Sequence, residues 1–350
     1  MADHFYYPFE KDGRLNADRS SYNGLTEYEK YQLSFHPERP KYLDFLPLFH
    51  SVTECFDSDD FGACLIQTHR ATLDPEGLNL PVMLIGQQTG PTSNYGDLLK
   101  AMADPEQVRK WNHGMPTPAA YRRATQAVRA ASNENRLIII FVDTPGADPT
   151  EASEAGGIAW RIGETIQALV EAKVPTLAII LNRACSGGAI ALTGCDRVLA
   201  LEYSTYLVIT PEACSSILFH TRSRADEAAS VSKITSREGL RFGIVDELIP
   251  EGDAPAHRNP EQTRQNLYTA VLRHCRELHK MGSVDLWERR IVRWKTMGHW
   301  DEAAEKQVRR IQHPVSRLPR PNQEGFLKRH SDCRDSRGFR IYDPVDFMNE

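Results

Sequence analysis

LIIIFVDTPG at residues 137–146 and TLAIILNRACSGGAIAL at residues 176–192 repeat one local pattern. Each segment opens with a continuous apolar run, which is typical of a strand buried on both faces of a parallel sheet. Each run ends in a turn with glycine, and a helical pattern follows. A helix that starts directly after a strand presents unpaired backbone N–H groups, which can stabilise negative charge on an oxygen atom. The pattern therefore indicates an enzyme that uses backbone amides.

The strand, turn and helix pattern recurs at 137–172, 176–194 and 206–219. We therefore expect an α/β protein in which ββα turns stack into a superhelix. Hydrophobic periodicity predicts the other elements. These are strands at 63–72 and 80–86 and helices at 44–52, 116–131, 155–172, 259–280 and 284–295. Residues 91–110 are polar and are interpreted as a loop with a helical piece.

Composition excludes several classes of protein. The chain has 350 residues, of which 41% are hydrophobic and 25% charged, and its net charge is −5. The acidic balance argues against a nucleic-acid-binding protein. No apolar run reaches the ~18 residues of a membrane span, and the first residues lack the features of a signal peptide. Seven cysteines without a Cys-x-x-Cys pair favour a reduced, cytoplasmic thiol set and no zinc site.

The clearest candidate site is Ser186-Gly187-Gly188-Ala189. Consecutive glycines allow a close backbone approach, and a helix N-terminus favours negative charge. A tight turn that packs against a neighbouring helix explains the same residues equally well. Asp143-Thr144-Pro145-Gly146 is either a capped turn or a ligand-binding loop. The chain has no Gly-x-x-x-x-Gly-Lys-Ser/Thr sequence, so a P-loop nucleotide site has no support.

The chain resembles the family of bacterial acetyl-CoA carboxylase carboxyltransferase alpha subunits over roughly residues 25–295. The matching motifs, in chain order, are HPERP (36–40), PVMLIG (81–86), GMPTP (114–118), IIIFVDTPG (138–146), KVP (173–175), SGGA (186–189), YSTY (203–206), TPEACSSIL (210–218), VD (245–246), IPE (249–251) and AHRNP (256–260). The resemblance implies an N-terminal extension at 1–35, a carboxyltransferase domain at 36–295 and a C-terminal tail at 296–350.

The resemblance also implies a crotonase-type fold with flanking N- and C-terminal helices. The implied reaction moves a carboxyl group from carboxybiotin on a separate carrier protein to the enolate of an acyl-CoA such as acetyl-CoA. The implied partners are a beta-type carboxyltransferase subunit and the biotin carboxyl carrier protein, in a cytoplasmic hetero-oligomer without a metal site on this chain. Gly187 and Gly188 match the glycine pair of a backbone oxyanion hole. Further substrate contacts are expected from Ser186, Ala189, Gly146, Ala147, Gly114 and Met115.

The chain departs from the family pattern at several places, among them 148–150, where Asp-Pro-Thr replaces Tyr-Pro-Gly, the longer loop at 91–110 and the tail after 312. The family stretch Gly-Glu-Gly-Gly-Ser-Gly-Gly is NRACSGG at 182–188, which is bulkier. The family stretch Gly-His-Gln-Lys-Gly is GQQTG at 86–90, so Thr89 stands where a basic residue is expected. These departures leave two alternatives open, an acyl-CoA decarboxylase subunit on the same fold and a catalytically silent scaffold in a carboxylase complex.

Two residues at the glycine pair carry specific expectations. Cys185 is a candidate nucleophile, but no acid–base partner is evident in the sequence, and a small packing residue is the favoured interpretation. A bulky side chain at Gly188 is expected to block the backbone approach to a ligand. Because this turn is expected at the edge of the core, activity is predicted to suffer more than folding.

Overall fold

A central mixed sheet, covered by helices on both faces, organises the computed structural model, which describes residues 24–74, 76–295 and 297. Residues 1–23 of the N-terminal extension predicted at 1–35 and, apart from residue 297, the tail predicted at 296–350 lie outside the described residues. No helix of the described part is long and apolar enough to cross a membrane.

Eight strands and thirteen α-helices are found within the described residues. The strands are β1 (His50–Glu54), β2 (Ile66–Leu73), β3 (Leu80–Gln87), β4 (Leu137–Thr144), β5 (Thr176–Cys185), β6 (Arg197–Leu201), β7 (Thr205–Leu207) and β8 (Glu247–Ile249). The helices are α1 (Glu27–Leu33), α2 (Tyr42–Phe45), α3 (Tyr95–Ala103), α4 (Pro105–Trp111), α5 (Pro118–Glu134), α6 (Glu151–Ala155), α7 (Ile158–Val170), α8 (Ser186–Thr193), α9 (Pro211–Phe219), α10 (Ala225–Ser232), α11 (Ser236–Arg241), α12 (Pro260–Leu278) and α13 (Ser283–Lys295).

The strand order is β1-β2-β3-β4-β5-β6-β8, and β7 pairs with the end of β5. Strands β1, β2 and β3 are antiparallel neighbours, whereas the pairs from β3 to β8 are parallel. Because β4 and β5 are parallel neighbours, their carboxyl ends meet at one edge of the sheet. The turns that follow these two strands therefore lie side by side, which places the two sequence motifs together.

Strand β4 is buried on both faces, as its continuous apolar run predicts. Leu137, Ile139 and Phe141 belong to the core on the side of α2 and α12. The alternate residues Ile138 and Ile140, together with Val142, belong to the core on the side of α5, α7 and α8. Side chains of a strand alternate between the two faces of a sheet, so one run of β-branched and aromatic residues supplies both cores.

Two helix predictions are wrong in extent for local reasons. The helix predicted at 44–52 ends at Phe45, because Pro47 favours a short 3-10 turn at Leu46–Leu48, after which the chain forms β1. The helix predicted at 155–172 is broken between α6 and α7. Gly157 has a φ of 78°, in the left-handed region, and therefore interrupts the helix.

The segment at 91–110, predicted as a loop with a helical piece, contains two helices, α3 and α4. They are separated at Asp104, whose side chain accepts a hydrogen bond from the Glu106 N–H and caps α4. Pro105 follows at the first helical position, where the missing N–H costs no hydrogen bond. Two short helices therefore form in this polar segment.

The C-terminal helix α13 is attached to the domain by one buried guanidinium. Arg290 is fully buried and forms two hydrogen bonds, of 2.9 and 2.8 Å, with the Asp196 carboxylate. It also donates to the carbonyl oxygens of Leu169, Val170 and Ala172 at 2.7–3.0 Å. Helix α7 ends at Val170, so Arg290 satisfies carbonyl groups that have no partner within that helix.

Replacing Arg290 is therefore expected to destabilise the fold. Arg290→Met leaves the buried Asp196 carboxylate without its cation and should lower the free energy of unfolding by ~3–5 kcal/mol. Chemical denaturation measures this loss. The exposed neighbour Arg289 provides the matched control, and Arg289→Met should change stability by less than ~0.5 kcal/mol. Equal losses in the two variants would show that the contacts of Arg290 are not an anchor.

Candidate functional site

The first turn of α8 is the centre of the site. Strand β5 runs directly into this helix through Cys185, its N-cap residue, and Ser186, whose φ is 55°. A left-handed conformation at serine is uncommon and marks a sharp change of direction between strand and helix. Gly187 and Gly188 follow in the first turn, as predicted. Their N–H groups belong to the first turn, in which a helix supplies no acceptor, and the helix N-terminus adds a partial positive charge.

The turn after β4 forms the second part of the site. A Cβ built on Gly188 would lie 2.6 Å from the backbone N of Ala147 and 2.8 Å from the carbonyl C of Gly146. The two turns therefore touch backbone to backbone. The hydroxyl of Thr144 accepts from the Gly146 N–H at 3.1 Å and lies 3.2 Å from the carbonyl oxygen of Gly114. The structure thus brings three of the predicted segments together at Gly188.

The contact at Gly188 corrects one expectation. Gly188 is buried, and any side chain there would collide with backbone atoms that cannot move independently. The prediction that a bulky residue at Gly188 would affect activity more than folding is therefore wrong. Gly187 is half-buried, and a Cβ on it would meet only the Cδ1 atom of Ile162, at 3.5 Å. Gly187 is the position at which a side chain can enter without displacing the fold.

The remaining predicted residues differ in what they offer a ligand. Ser186 is exposed beside the open turn, whereas Ala189 is fully buried and is the first residue whose N–H donates within α8. Met115 is half-buried, and its N–H donates to the Asn112 carbonyl oxygen at 2.9 Å. The preceding Gly114 has a φ of 77° and supplies the carbonyl that faces Thr144. Gly114 therefore supports the turn after β4, and Met115 lies at its edge.

A buried polar layer lies behind the two turns, and the sequence did not reveal it. The Asp143 carboxylate accepts hydrogen bonds from Asn182 at 2.9 Å and from the Thr89 hydroxyl at 3.0 Å. Asn182 in turn accepts from Arg39 at 2.7 Å, and Arg39 forms a bidentate pair with Glu251 at 2.9 and 2.7 Å. Every charge in this chain of contacts has a partner, as buried charges require.

Two cations surround Asp143 although position 89 is threonine. The Arg183 Nε atom lies 3.6 Å from the Asp143 Oδ1 atom, and its guanidinium lies 4.3 Å from the Phe35 ring centre. Lys41 is buried, and its ammonium donates to the Pro37 carbonyl oxygen at 2.6 Å. A cavity of about 20 Å³ is lined by Lys41, Thr89, Asp143 and Arg183 among others. A basic side chain is therefore absent at position 89, but the fold places the cations of Lys41 and Arg183 around the same cavity.

The bulky approach to the glycine pair leaves the helix start accessible. Asn182 and Ala184 are buried, and Cys185 packs with Tyr31 and Leu207 in an apolar cluster. Burial raises the pKa of the Cys185 thiol to about 11, so the thiol stays protonated at neutral pH. A thiolate nucleophile is therefore not available at this site under those conditions.

A small cavity of about 70 Å³ adjoins the helix start and is lined by Pro145, Arg183 and Cys185 among others. A cavity of about 440 Å³ is lined by residues of α13 together with Asp196 and Arg197, and it adjoins the Arg290 anchor. Within the described residues, no group of three or more His, Cys, Asp or Glu side chains could hold a metal ion. The open first turn of α8 is therefore the feature that best fits a reacting oxygen atom.

Comparisons with known proteins agree on one family. A family model described as acetyl co-enzyme A carboxylase carboxyltransferase-like matches residues 11–298. The acetyl-coenzyme A carboxylase carboxyl transferase subunit alpha of Francisella tularensis subsp. novicida is 35% identical over 292 residues, covering 83% of this chain and 88% of that protein. The same subunit from Francisella tularensis subsp. tularensis, strain SCHU S4, gives the same values.

Solved structures support the fold. A chain of the Pseudomonas malonate decarboxylase hetero-tetramer, solved in complex with coenzyme A, matches with a TM-score of 0.52 and 16% identity, covering 73% of this chain and 92% of that one. A chain of the Pseudomonas malonate decarboxylase MdcD-MdcE hetero-dimer also matches with a TM-score of 0.52 and 16% identity, covering 73% of this chain and 93% of that one. The expected crotonase-type α/β fold is confirmed.

Burial of Lys41 leads to a pH-dependent prediction. Desolvation lowers the pKa of Lys41 to about 8 in the folded protein, while the nearby Asp143 raises it by a smaller amount. The folded state therefore loses this proton first as the pH rises, so stability should increase with pH. Between about pH 7.5 and 10, wild type should gain roughly 2 kcal/mol of unfolding free energy relative to Lys41→Met. Urea denaturation of both proteins measures the difference, and a constant difference would contradict the buried ammonium.

Proposed function

We propose that this chain, which belongs to the acetyl co-enzyme A carboxylase carboxyltransferase-like family, is an alpha-type carboxyltransferase subunit. In the proposed reaction a carboxyl group passes from carboxybiotin on a separate carrier protein to an acyl-CoA such as acetyl-CoA, giving malonyl-CoA. The proposed partners are a beta-type subunit and the biotin carboxyl carrier protein, in a cytoplasmic hetero-oligomer. Residues 36–295 form the catalytic domain in this proposal.

The open first turn of α8 is the single observation that carries the proposal. The N–H groups of Gly187 and Gly188 lie in the first turn of a helix and have no acceptor within that helix. Carboxyl transfer develops negative charge on a carbonyl oxygen, both on the thioester and on the ureido group of biotin. Backbone amides stabilise such charge without a proton transfer. We assign this turn to the biotin ureido oxygen, and Ser186, exposed beside it, to contact with the substrate.

The surroundings of the turn support amide catalysis over side-chain catalysis. The Cys185 thiol is protonated at neutral pH and packed among apolar side chains. Asp143 already accepts hydrogen bonds from Asn182 and Thr89, so its role is to support the loop. The chain therefore contributes position and electrostatic stabilisation, and biotin supplies the activated carboxyl group.

Reconstitution tests the proposal directly. The purified chain alone should be inactive, and the complex with the candidate beta-type subunit should transfer a carboxyl group from malonyl-CoA to biotin in the reverse assay. The forward reaction should be run with several acyl-CoAs to find the preferred substrate. Transfer by the chain alone would contradict the two-subunit proposal. Release of acetyl-CoA without carboxylation of biotin would favour the decarboxylase alternative, and a stable complex without turnover would favour the scaffold.

Substitution of the glycine pair tests the oxyanion assignment. Gly187→Val has room for its Cβ and should keep the fold, but its side chain shields the amides, so kcat should fall about 100-fold or more. Steady-state kinetics of the reconstituted complex measure the effect, and thermal unfolding checks the fold. Cys185→Ala is the control, because it removes an adjacent side chain without touching the amides. If Cys185→Ala abolished turnover and Gly187→Val did not, a thiol mechanism would replace the amide mechanism.

A further inference from the structure

The carbonyl oxygen of Gly188 accepts hydrogen bonds from two buried side chains. Gln87 donates through Nε2 at 3.1 Å, and Tyr121 donates through its hydroxyl at 2.9 Å. Both side chains are buried, with exposures of 1% for Gln87 and 0% for Tyr121. A carbonyl in a regular helix needs only the N–H of the next turn. The additional donors therefore fix the orientation of this one peptide group.

The same glutamine also holds the end of β4. Its Oε1 atom accepts from the backbone N–H of Asp143 at 3.1 Å. Gln87 is the last residue of β3, so its amide connects three neighbouring segments: the ends of β3 and β4 and the first turn of α8. Tyr121 reaches the same carbonyl from α5, on the other side. The peptide that follows Gly188 is thus held from both the sheet and a covering helix.

We propose that Gln87 is a positioning residue for the oxyanion-binding turn and that Tyr121 assists it through the same carbonyl. The peptide group that they hold directly follows Gly188, and its own N–H, that of Ala189, makes the first hydrogen bond of α8. A fixed orientation of this peptide restricts rotation at Gly188 and so holds the neighbouring N–H of Gly188 in place. Hydrogen bonds to a peptide carbonyl polarise the N–H of that peptide and restrict its rotation. Pre-oriented amides stabilise developing charge better than amides that must reorganise. The inference rests on the proposed function, because it assigns these residues a role in carboxyl transfer.

A purely structural role predicts a different outcome. Buried polar side chains need hydrogen-bond partners in any fold, and the Gly188 carbonyl oxygen is such a partner for both Gln87 and Tyr121. Removal of such partners lowers stability wherever they lie in the protein. A positioning role additionally predicts a loss in kcat and little change in KM. It also predicts that the effects of substituting Gln87 and Tyr121 on kcat are not independent. Kinetics and stability must therefore be measured on the same variants.

The kinetic test uses Gln87→Met, Tyr121→Phe and the double variant in the reconstituted complex. Gln87→Met should lower kcat about tenfold, less than loss of a direct oxyanion donor, while KM for the acyl-CoA changes less than about twofold. Because both residues act on one carbonyl, the double variant should depart from the product of the single effects. Ser236→Ala is the control. It removes a fully buried 2.7 Å hydrogen bond to Ser204, so stability should fall without a change in kcat.

A spectroscopic readout tests the contact independently of turnover. The sequence contains three Gly-Ala pairs, at 62–63, 146–147 and 188–189. Labelling glycine at the carbonyl carbon and alanine at nitrogen therefore gives three resolvable peptide signals by nuclear magnetic resonance. Loss of a donor should shift the Gly188 carbonyl signal upfield in Gln87→Met and in Tyr121→Phe. The Gly62 signal should not move.

The outcomes separate this inference from the proposed function. If wild type is active and Gln87→Met moves the Gly188 signal but keeps wild-type kcat, the positioning role is overturned. The role is also overturned if the kcat effects of the two single variants simply multiply. If the wild-type complex transfers no carboxyl group to or from any acyl-CoA, the proposed function fails. In that case an unchanged Gly188 signal in Gln87→Met would overturn the contact itself, and a shifted signal would establish it as structural only.

Discussion

The backbone of Gly188 touches the backbone of Gly146 and Ala147 so closely that no Cβ fits between them. This contact fixes the separation of the two turns that follow β4 and β5, and it makes glycine necessary at position 188. The left-handed Ser186 then sets the direction in which α8 leaves the sheet. With the buried face of the first turn closed by this contact, the N–H groups of the turn can be approached only from its open face, at Gly187.

Behind the contact, charge is buried in a connected arrangement. Asn182 donates a hydrogen bond to Asp143 and accepts one from Arg39, which in turn pairs with Glu251. A buried ion pair contributes little net stability because desolvation offsets its attraction, but removal of one partner is costly. Such an arrangement therefore holds the buried side chains in a single geometry and contributes little to the free energy of unfolding. Asp143 directly precedes Thr144, where β4 ends. The buried side chains that hold Asp143 therefore also fix the position of the turn beside the first turn of α8.

The sequence was sufficient where local pattern decides structure. The apolar runs of β4 and β5 and the small residues of α8 predicted a strand, turn and helix at the correct place, because burial on both faces leaves a clear periodic signal. The break at Gly157 was missed, and within 91–110 one helical piece was predicted where two helices form, since each division depends on one glycine or one cap. Lys41 and Arg183 were missed for another reason: their residues are far apart in sequence, and only the fold brings both to Asp143.

The departures from the family pattern affect the residues packed behind the first turn of α8 more than they affect access to that turn. Asn182 turns into the buried polar layer and Cys185 into the apolar cluster with Tyr31, so neither covers the first turn of α8. Arg183 and Lys41 instead alter the charge around Asp143, where the family resemblance places a lysine at position 89. Differences between this chain and its relatives should therefore lie in how firmly the turn is held, because Gly187 and Gly188 match the glycine pair of the family pattern.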